Sequence, residues 1–69
     1  MRRTPVGSSN IASIGFDPPT STLEVEFTNG RVYQYFDVPE RLYQAFLSAD
    51  SKGGFLAAQI KGAYRYARA

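Results

Sequence analysis

The sequence predicts an α+β fold (βββαα), in which a three-stranded antiparallel β-meander is followed by two α-helices packed on one face of the sheet. Three observations support this prediction. Within residues 22–28, apolar and acidic side chains alternate, which is the pattern of a strand with one buried face. An Asn-Gly pair follows and marks a hairpin turn. Apolar residues between positions 42 and 47 then recur at helical spacing.

Length and composition limit the chain to one small domain over residues 1–69. Hydrophobic residues make up 43% of the sequence and charged residues 20%, so the chain can fold but has material for a single core. It contains no cysteine and no histidine. Disulfides, thiol nucleophiles, the commonest general base and the commonest metal ligand are therefore excluded.

The first strand is predicted over residues 10–17. Its alternation places Ile14 and Phe16 on the inner face and Ile11 on the opposite face. The strand ends at Pro18, because proline cannot donate a hydrogen bond to a sheet ladder.

The hairpin between the second strand and a third strand, residues 31–36, admits two registers. A two-residue loop leaves Tyr33 and Tyr35 on the solvent face beside the glutamates of the second strand. A three-residue loop, with Gly30 in the left-handed region, turns both tyrosines into the core. We favour the three-residue loop, because it exposes Gln34 instead of two aromatic rings.

Two helices are predicted after the sheet. Asp37 and Glu40 are spaced as a capping box, with Pro39 in the first turn of the helix. The polar, glycine-rich run at 50–54 breaks this helix, and a second helix begins near Phe55. The predicted core comprises Ile14, Phe16, Leu23, Val25, Phe27, Tyr35, Leu42, Phe46, Leu47, Ile60 and Tyr64.

Charge is segregated along the chain, although the net charge is only +2. Residues 1–16 carry +2, residues 17–50 carry −4 and residues 51–69 carry +4. Two interpretations remain open. The basic ends are either independently solvated, or they meet and form one basic face.

The C-terminal segment interleaves cations with aromatic rings. If the second helix continues to the end, Lys61, Arg65 and Arg68 lie on one helical stripe. Cations contact phosphates and rings stack on bases, so this pattern indicates binding of single-stranded or structured RNA with little sequence preference. The candidate nucleic-acid contacts are Arg2, Arg3, Lys52, Lys61, Arg65, Tyr66 and Arg68.

A second hypothesis is that the domain binds a protein partner or a second copy of itself. An open three-stranded sheet has unpaired backbone groups along its edges, and such edges accept an additional strand. This interaction needs no basic face.

Catalytic signals are absent from the sequence pattern. Ser8 and Ser9 have no neighbouring base that would activate them, and turn hydrogen bonds explain them better. Lys52, Gly53 and Gly54 resemble an anion contact at a helix start, but the other residues of a phosphate-binding loop are missing. We therefore predict a non-enzymatic domain with no metal and no cofactor.

No membrane segment is expected. The sequence has neither the apolar stretch of a signal peptide nor an apolar run of about 18 residues. A cytoplasmic location without a membrane partner is the simplest expectation.

Short motifs along most of the chain resemble a known family. They are SSNI at 8–11, IGFD at 14–17, LEVEF at 23–27, NG at 29–30, VYQY at 32–35 and SKG at 51–53. This pattern resembles the KTSC domain, which occurs at the C-terminus of some lysyl-tRNA synthetases and as small stand-alone bacterial and phage proteins. The resemblance implies a binding domain whose function is not established, and RNA binding has been suggested for it from that attachment.

Overall fold

The sheet has five antiparallel strands instead of three. In the computed structural model, which describes residues 2–69, the strands lie side by side in chain order. The α+β class is confirmed, but a sheet limited to three strands is wrong. The strands are β1 (Arg3–Pro5), β2 (Ile11–Asp17), β3 (Thr22–Phe27), β4 (Val32–Tyr35) and β5 (Tyr66–Arg68).

The two additional strands cover the edges of the meander. β1 pairs with β2, with Thr4 opposite Ile14, and β5 pairs with β4, with Tyr66 opposite Tyr35. Each is three residues long, too short to show an alternating pattern in the sequence. They pair backbone groups that the meander alone would leave open. The open edges on which the protein-partner hypothesis relied are therefore occupied by the chain itself.

The β3–β4 hairpin has the three-residue loop. Its register pairs Val25 with Tyr33 and Leu23 with Tyr35. Gly30 has a φ of 90°, the left-handed conformation that this loop requires. The favoured register is confirmed, and both tyrosines lie on the face of the sheet that carries the core.

A β-bulge in β2 buries a residue that strict alternation places outside. The β2–β3 pairing shifts between Ile11 and Ser13, so Ala12 is an extra residue in the strand. Ile11 and Ile14 are consequently both fully buried. The prediction that Ile11 faces away from the core is therefore wrong.

The first helix, α1 (Glu40–Ser48), begins without a capping box. Pro39 is its N-cap residue, and no side chain caps the helix. Asp37 has a φ of 59°, so it belongs to a left-handed turn between β4 and the helix. The predicted pairing of Asp37 with Glu40 is therefore wrong.

The second helix begins and ends earlier than the sequence predicts. It comprises α2 (Lys52–Phe55) and a π-helical turn (Leu56–Ile60), which we call together the second helix. Ser51 caps it by accepting a hydrogen bond from the Gly54 N–H at 3.1 Å. Gly62 then takes a φ of 85°, and the chain returns along β4 as a strand. The second helix therefore begins before Phe55 and ends before Tyr64, and it does not continue to the C-terminus as the stripe of cations would require.

One apolar cluster fills the space between the sheet and the helices. Phe46 of α1 stacks on Phe55 with ring centroids 5.3 Å apart, which joins the two helices. The buried members among residues 2–69 are Ile11, Ile14, Leu23, Val25, Tyr35, Val38, Phe46, Leu56 and Ile60. Phe16, Phe27, Leu42, Leu47 and Tyr64 of the predicted core are half-buried around them.

Gly15 allows β1 to lie against β2. A Cβ atom on Gly15 would lie 2.5 Å from the carbonyl oxygen of Arg2 and 2.9 Å from Cγ of Arg3. The Arg3 side chain crosses this point, and its guanidinium lies 3.2 Å from the Glu24 carboxylate. The missing side chain at position 15 is therefore a packing requirement of the first edge strand.

We expect Gly15→Ala to lower the free energy of unfolding by about 1–3 kcal/mol, as overpacking of a filled site usually does. The clash involves a backbone oxygen, which cannot move aside as the tip of a side chain can. Urea unfolding followed by tyrosine fluorescence measures the effect. Gly7→Ala is the matched control, because its Cβ would have nothing within 4 Å. Equal stabilities of the two variants would contradict this role of Gly15.

We also expect a pH-dependent contribution to stability from Tyr35. Burial raises the pKa of its phenol above the ordinary 10.0, and the nearby Tyr33 and Tyr66 phenols raise it further. The folded state therefore favours the neutral phenol. The contribution of the neutral Tyr35 phenol to the free energy of unfolding is complete below the unfolded-state pKa. It is lost as the pH rises through the folded-state pKa.

The measurement is the free energy of unfolding at several pH values above 10.0, the ordinary tyrosine pKa, for the wild type and Tyr35→Phe. The wild type should lose stability more steeply, because only its buried phenol must ionise against burial. Parallel slopes for the two proteins would contradict this assignment.

Candidate nucleic-acid interface

An open groove of about 590 Å³ lies between the sheet and the second helix. Its floor is a row of four rings, Phe27, Tyr33, Tyr66 and Tyr35, which we call the aromatic row. Successive ring centroids along the row are 5.7, 5.8 and 5.8 Å apart. These are contact distances for aromatic pairs, so the rings form one continuous surface.

The strand pairing explains why the aromatic row forms. The three-residue hairpin loop places Tyr33 and Tyr35 on the helix-bearing face, and β5 adds Tyr66 directly opposite Tyr35. Tyr35 is 4% exposed, whereas Tyr66 is 62% exposed. Tyr35 therefore anchors the row in the core, and Tyr66, which lies between Tyr33 and Tyr35 in the row, is its most exposed ring.

Cations stand at the rim of this groove. Arg31, after the hairpin loop, and Lys61, after the second helix, both line it. Arg68 pairs with Tyr33 across β4 and β5, so it lies on the same face of the sheet. No carboxylate lines the groove within the described part of the chain. An aromatic floor with a basic rim attracts ligands that combine rings with negative charge.

Two of the predicted contacts, Lys61 and Tyr66, line this groove, and a third, Arg68, lies on the same face of the sheet opposite Tyr33. Arg65 does not join them, because its guanidinium lies 2.9 Å from the Asp37 carboxylate and 5.7 Å from the centre of the Phe36 ring. The single helical stripe of three cations is wrong, since the second helix ends before them. Strand pairing, and not helical spacing, places the C-terminal cations.

The basic N-terminus lies at the other edge of the sheet. β1 and β5 are separated by three strands, which corresponds to about 19 Å at the usual strand spacing. Arg3 is engaged with Glu24, and Arg2 precedes it on the same edge. Of the two interpretations of the basic ends, the strand order therefore favours ends that are solvated separately over one shared basic face.

Lys52 lies in a separate polar cleft between the loop before β2 and the start of the second helix. Its Nζ donates a hydrogen bond to the Ala49 carbonyl. Ser8 Oγ accepts hydrogen bonds from the N–H groups of Asn10 and Ile11, so this serine supports a turn. Asp50 also lines the cleft, which makes it a poor site for an anion.

Arg31 is a cation of the groove that is absent from the contacts predicted from the sequence. It falls within residues 17–50, whose net charge is −4, so a count of charge along the chain does not single it out. Its place directly after the Asn-Gly turn and before the Tyr-x-Tyr motif is the signal that identifies it. Because Arg31 precedes Tyr33 by two residues, its side chain is expected on the same face of the sheet as Tyr33 and Tyr35.

Two other classes of site have no support among residues 2–69. No group of three or more His, Cys, Asp or Glu side chains is arranged to hold a metal ion. No helix in this range has the length and apolar character needed to cross a membrane.

Comparisons with known proteins agree with the motifs in the sequence. The family model of the KTSC domain matches residues 7–64. The KTSC domain protein YPO2434 from Yersinia pestis has a crystal structure similar to this fold, with a TM-score of 0.93 and 48% identity. The match covers 99% of this chain and 96% of that one.

Two kinds of relative are similar in sequence. A protein of Stutzerimonas stutzeri described as uncharacterised is 44% identical, over 99% of this chain and 97% of its own. A lysine–tRNA ligase of a Nostoc species is 39% identical over 58 residues, which is 84% of this chain and 10% of the ligase. The chain thus corresponds to a tenth of the ligase's length. Since the family model and the near full-length relatives agree, this chain belongs to the KTSC domain family.

Proposed function

We propose that this domain is a non-enzymatic module that binds single-stranded RNA in the aromatic groove, with weak dependence on sequence. The observation that carries the proposal is the aromatic row exposed at Tyr66 and bordered by Lys61 and Arg31, with no carboxylate in the groove lining of the described residues. Rings that are open to solvent beside cations match the two parts of a nucleotide, the base and the phosphate.

Stacking is the first contribution. Tyr66 rests on Tyr33 and Tyr35, so its ring is held by its neighbours while one side stays open to solvent. A ring held in this way loses little conformational entropy when a base stacks on it. Every base has a π-face, so this contribution tolerates any sequence.

Phosphate attraction is the second contribution. Lys61 and Arg31 at the rim, and Arg68 on the same face, lie where the backbone of a stacked strand would pass. The described residues give none of the three an ion pair, whereas Arg3 and Arg65 each have a carboxylate partner. Cations without partners gain more from a phosphate, because no existing pair has to be broken.

The relatives give this proposal biological context. The lysine–tRNA ligases are named for an RNA substrate, and a segment about a tenth of their length is similar to this chain. An RNA ligand would also be consistent with a cytoplasmic location.

Strand addition by a protein partner is the alternative. The outer edges of the sheet belong to β1 and β5, each three residues long, and β1 contains Pro5. Short edges and edge prolines are the features by which proteins discourage strand addition. We therefore favour RNA, and a protein partner becomes the conclusion if the RNA experiments below fail.

We expect Tyr66→Ala to weaken binding to short oligouridine about tenfold, because one base loses its stacking partner. Tyr66→Phe is the matched control, since it keeps the ring and should retain nearly full affinity. Fluorescence anisotropy with labelled RNA measures both variants. Urea unfolding confirms that both are folded, as expected for a side chain that is mostly exposed. Equal affinities of Tyr66→Ala and wild type would exclude the aromatic row as the binding surface.

Salt dependence tests the cations. If Arg31, Lys61 and Arg68 contact phosphates, the logarithm of affinity should fall with the logarithm of salt concentration at a slope of about −2, from about −0.7 per contact. Lys61→Ala should flatten the slope by about 0.7. Arg41→Ala removes the same charge from an exposed position of α1 outside the groove and should leave the slope unchanged.

Two results of the salt titration would count against the proposal. One is equal flattening by Arg41→Ala, which would mean that net charge and not the groove attracts the RNA. The other is undetectable binding by the wild type at about 100 mM salt, which would favour a protein partner instead.

A further inference from the structure

The hairpin loop beside the aromatic row carries hydrogen-bonding groups that stacking does not use. Asn29 and Arg31 both line the groove at the Phe27 end of the aromatic row, on either side of Gly30. Stacking requires neither side chain, and the phosphate attraction proposed above uses only the positive charge of Arg31. Their free hydrogen-bonding capacity therefore bears on which base the groove accepts.

The Asn29 amide has a defined orientation. The Arg31 N–H donates a hydrogen bond to Asn29 Oδ1 at 3.0 Å. A backbone N–H can only donate, so the atom facing it must be the amide oxygen. The amide NH₂ remains as the free group of Asn29, and it is purely a donor.

Arg31 is held by the same loop. Besides donating to Asn29, its backbone accepts a hydrogen bond from the Phe27 N–H at 2.8 Å. Its guanidinium forms no ion pair with any residue from 2 to 69. The loop thus fixes the start of the side chain and leaves the guanidinium donors free at the rim.

Two further residues of the groove lining, Asn10 and Lys61, also offer donors. Ser8 Oγ accepts from two backbone N–H groups, so its own hydrogen points to Asn10 Oδ1, 3.1 Å away. The NH₂ group of Asn10 is thereby left free, and Lys61 adds an ammonium group. Tyrosine hydroxyls both donate and accept, so they do not discriminate. We call Asn10, Asn29, Arg31 and Lys61 the donor rim.

We infer that the donor rim selects guanine, read on its N7 and O6 edge by Arg31 and Asn29. This inference rests on the proposed RNA binding in the groove. Guanine presents two adjacent acceptors on that edge, whereas adenine presents one acceptor and one amino donor. An adenine amino group facing the donor rim would lose its hydrogen bond to water without a replacement. The bound RNA therefore carries guanine at one nucleotide position, while its other positions tolerate any base.

The test uses short oligouridines that differ in one central nucleotide. Guanosine should bind about tenfold more tightly than adenosine, as expected for one bidentate contact to a base edge. Inosine keeps N7 and O6 and should match guanosine. The 7-deaza analogue of guanosine lacks the N7 acceptor and should lose most of the preference.

Arg31→Lys is the decisive protein variant, because it keeps the positive charge but cannot form the two-donor contact. The guanosine-to-adenosine affinity ratio should fall close to one. Affinity for unmodified oligouridine should fall less than affinity for the guanosine oligonucleotide, because lysine keeps the positive charge that attracts phosphates. Arg41→Lys is the matched control and should leave the ratio unchanged, because Arg41 lies outside the groove.

The outcomes separate this inference from the proposed function. Oligouridine binding with equal affinities for guanosine and adenosine would overturn guanine selection and leave RNA binding intact. A guanosine preference that survives Arg31→Lys would also overturn the assignment to Arg31. Failure of the wild type to bind any of the oligonucleotides would overturn both conclusions.

Discussion

The left-handed conformation of Gly30 is the constraint on which most of the structure depends. With a φ of 90°, it closes a three-residue loop and sets the register of β3 against β4. A shift of one residue would transfer Tyr33 and Tyr35 to the other face of the sheet. The core would lose Tyr35, and Tyr66 would lose the two rings on which it rests. The same loop also positions Arg31 at the rim of the groove.

The two faces of the sheet carry different sets of charged side chains. On the face without helices, the Glu24 carboxylate contacts Arg3 at 3.2 Å and accepts a hydrogen bond from Gln34 at 3.0 Å. On the same face, Ser13 donates a hydrogen bond to Glu26 at 2.8 Å. Both carboxylates therefore have hydrogen-bonding partners on that face of the sheet. The acids are thereby kept away from the groove, whose rim is left with cations.

Local patterns were sufficient for the parts of the fold that depend on near neighbours. The alternation in β3, the Asn-Gly turn and the apolar stripe of α1 each reflect periodicity or turn chemistry within a few residues. Turn preference and the exposure of Gln34 also favoured the correct hairpin register. The bulge at Ala12 was not predictable in this way, because the extra residue is visible only against the partner strand.

The candidate site was predictable in its residue types and not in its arrangement. The sequence by itself determined an α+β domain with a Tyr-x-Tyr strand, and it marked the basic C-terminal segment that contains Tyr66. The tertiary structure alone decided that this segment returns as β5, opposite Tyr35, while the basic N-terminus lies at the far edge. The physical reason is that strand pairing satisfies the backbone groups of β4 over a long sequence separation. Helical periodicity, the stronger local signal, contains no information about that pairing.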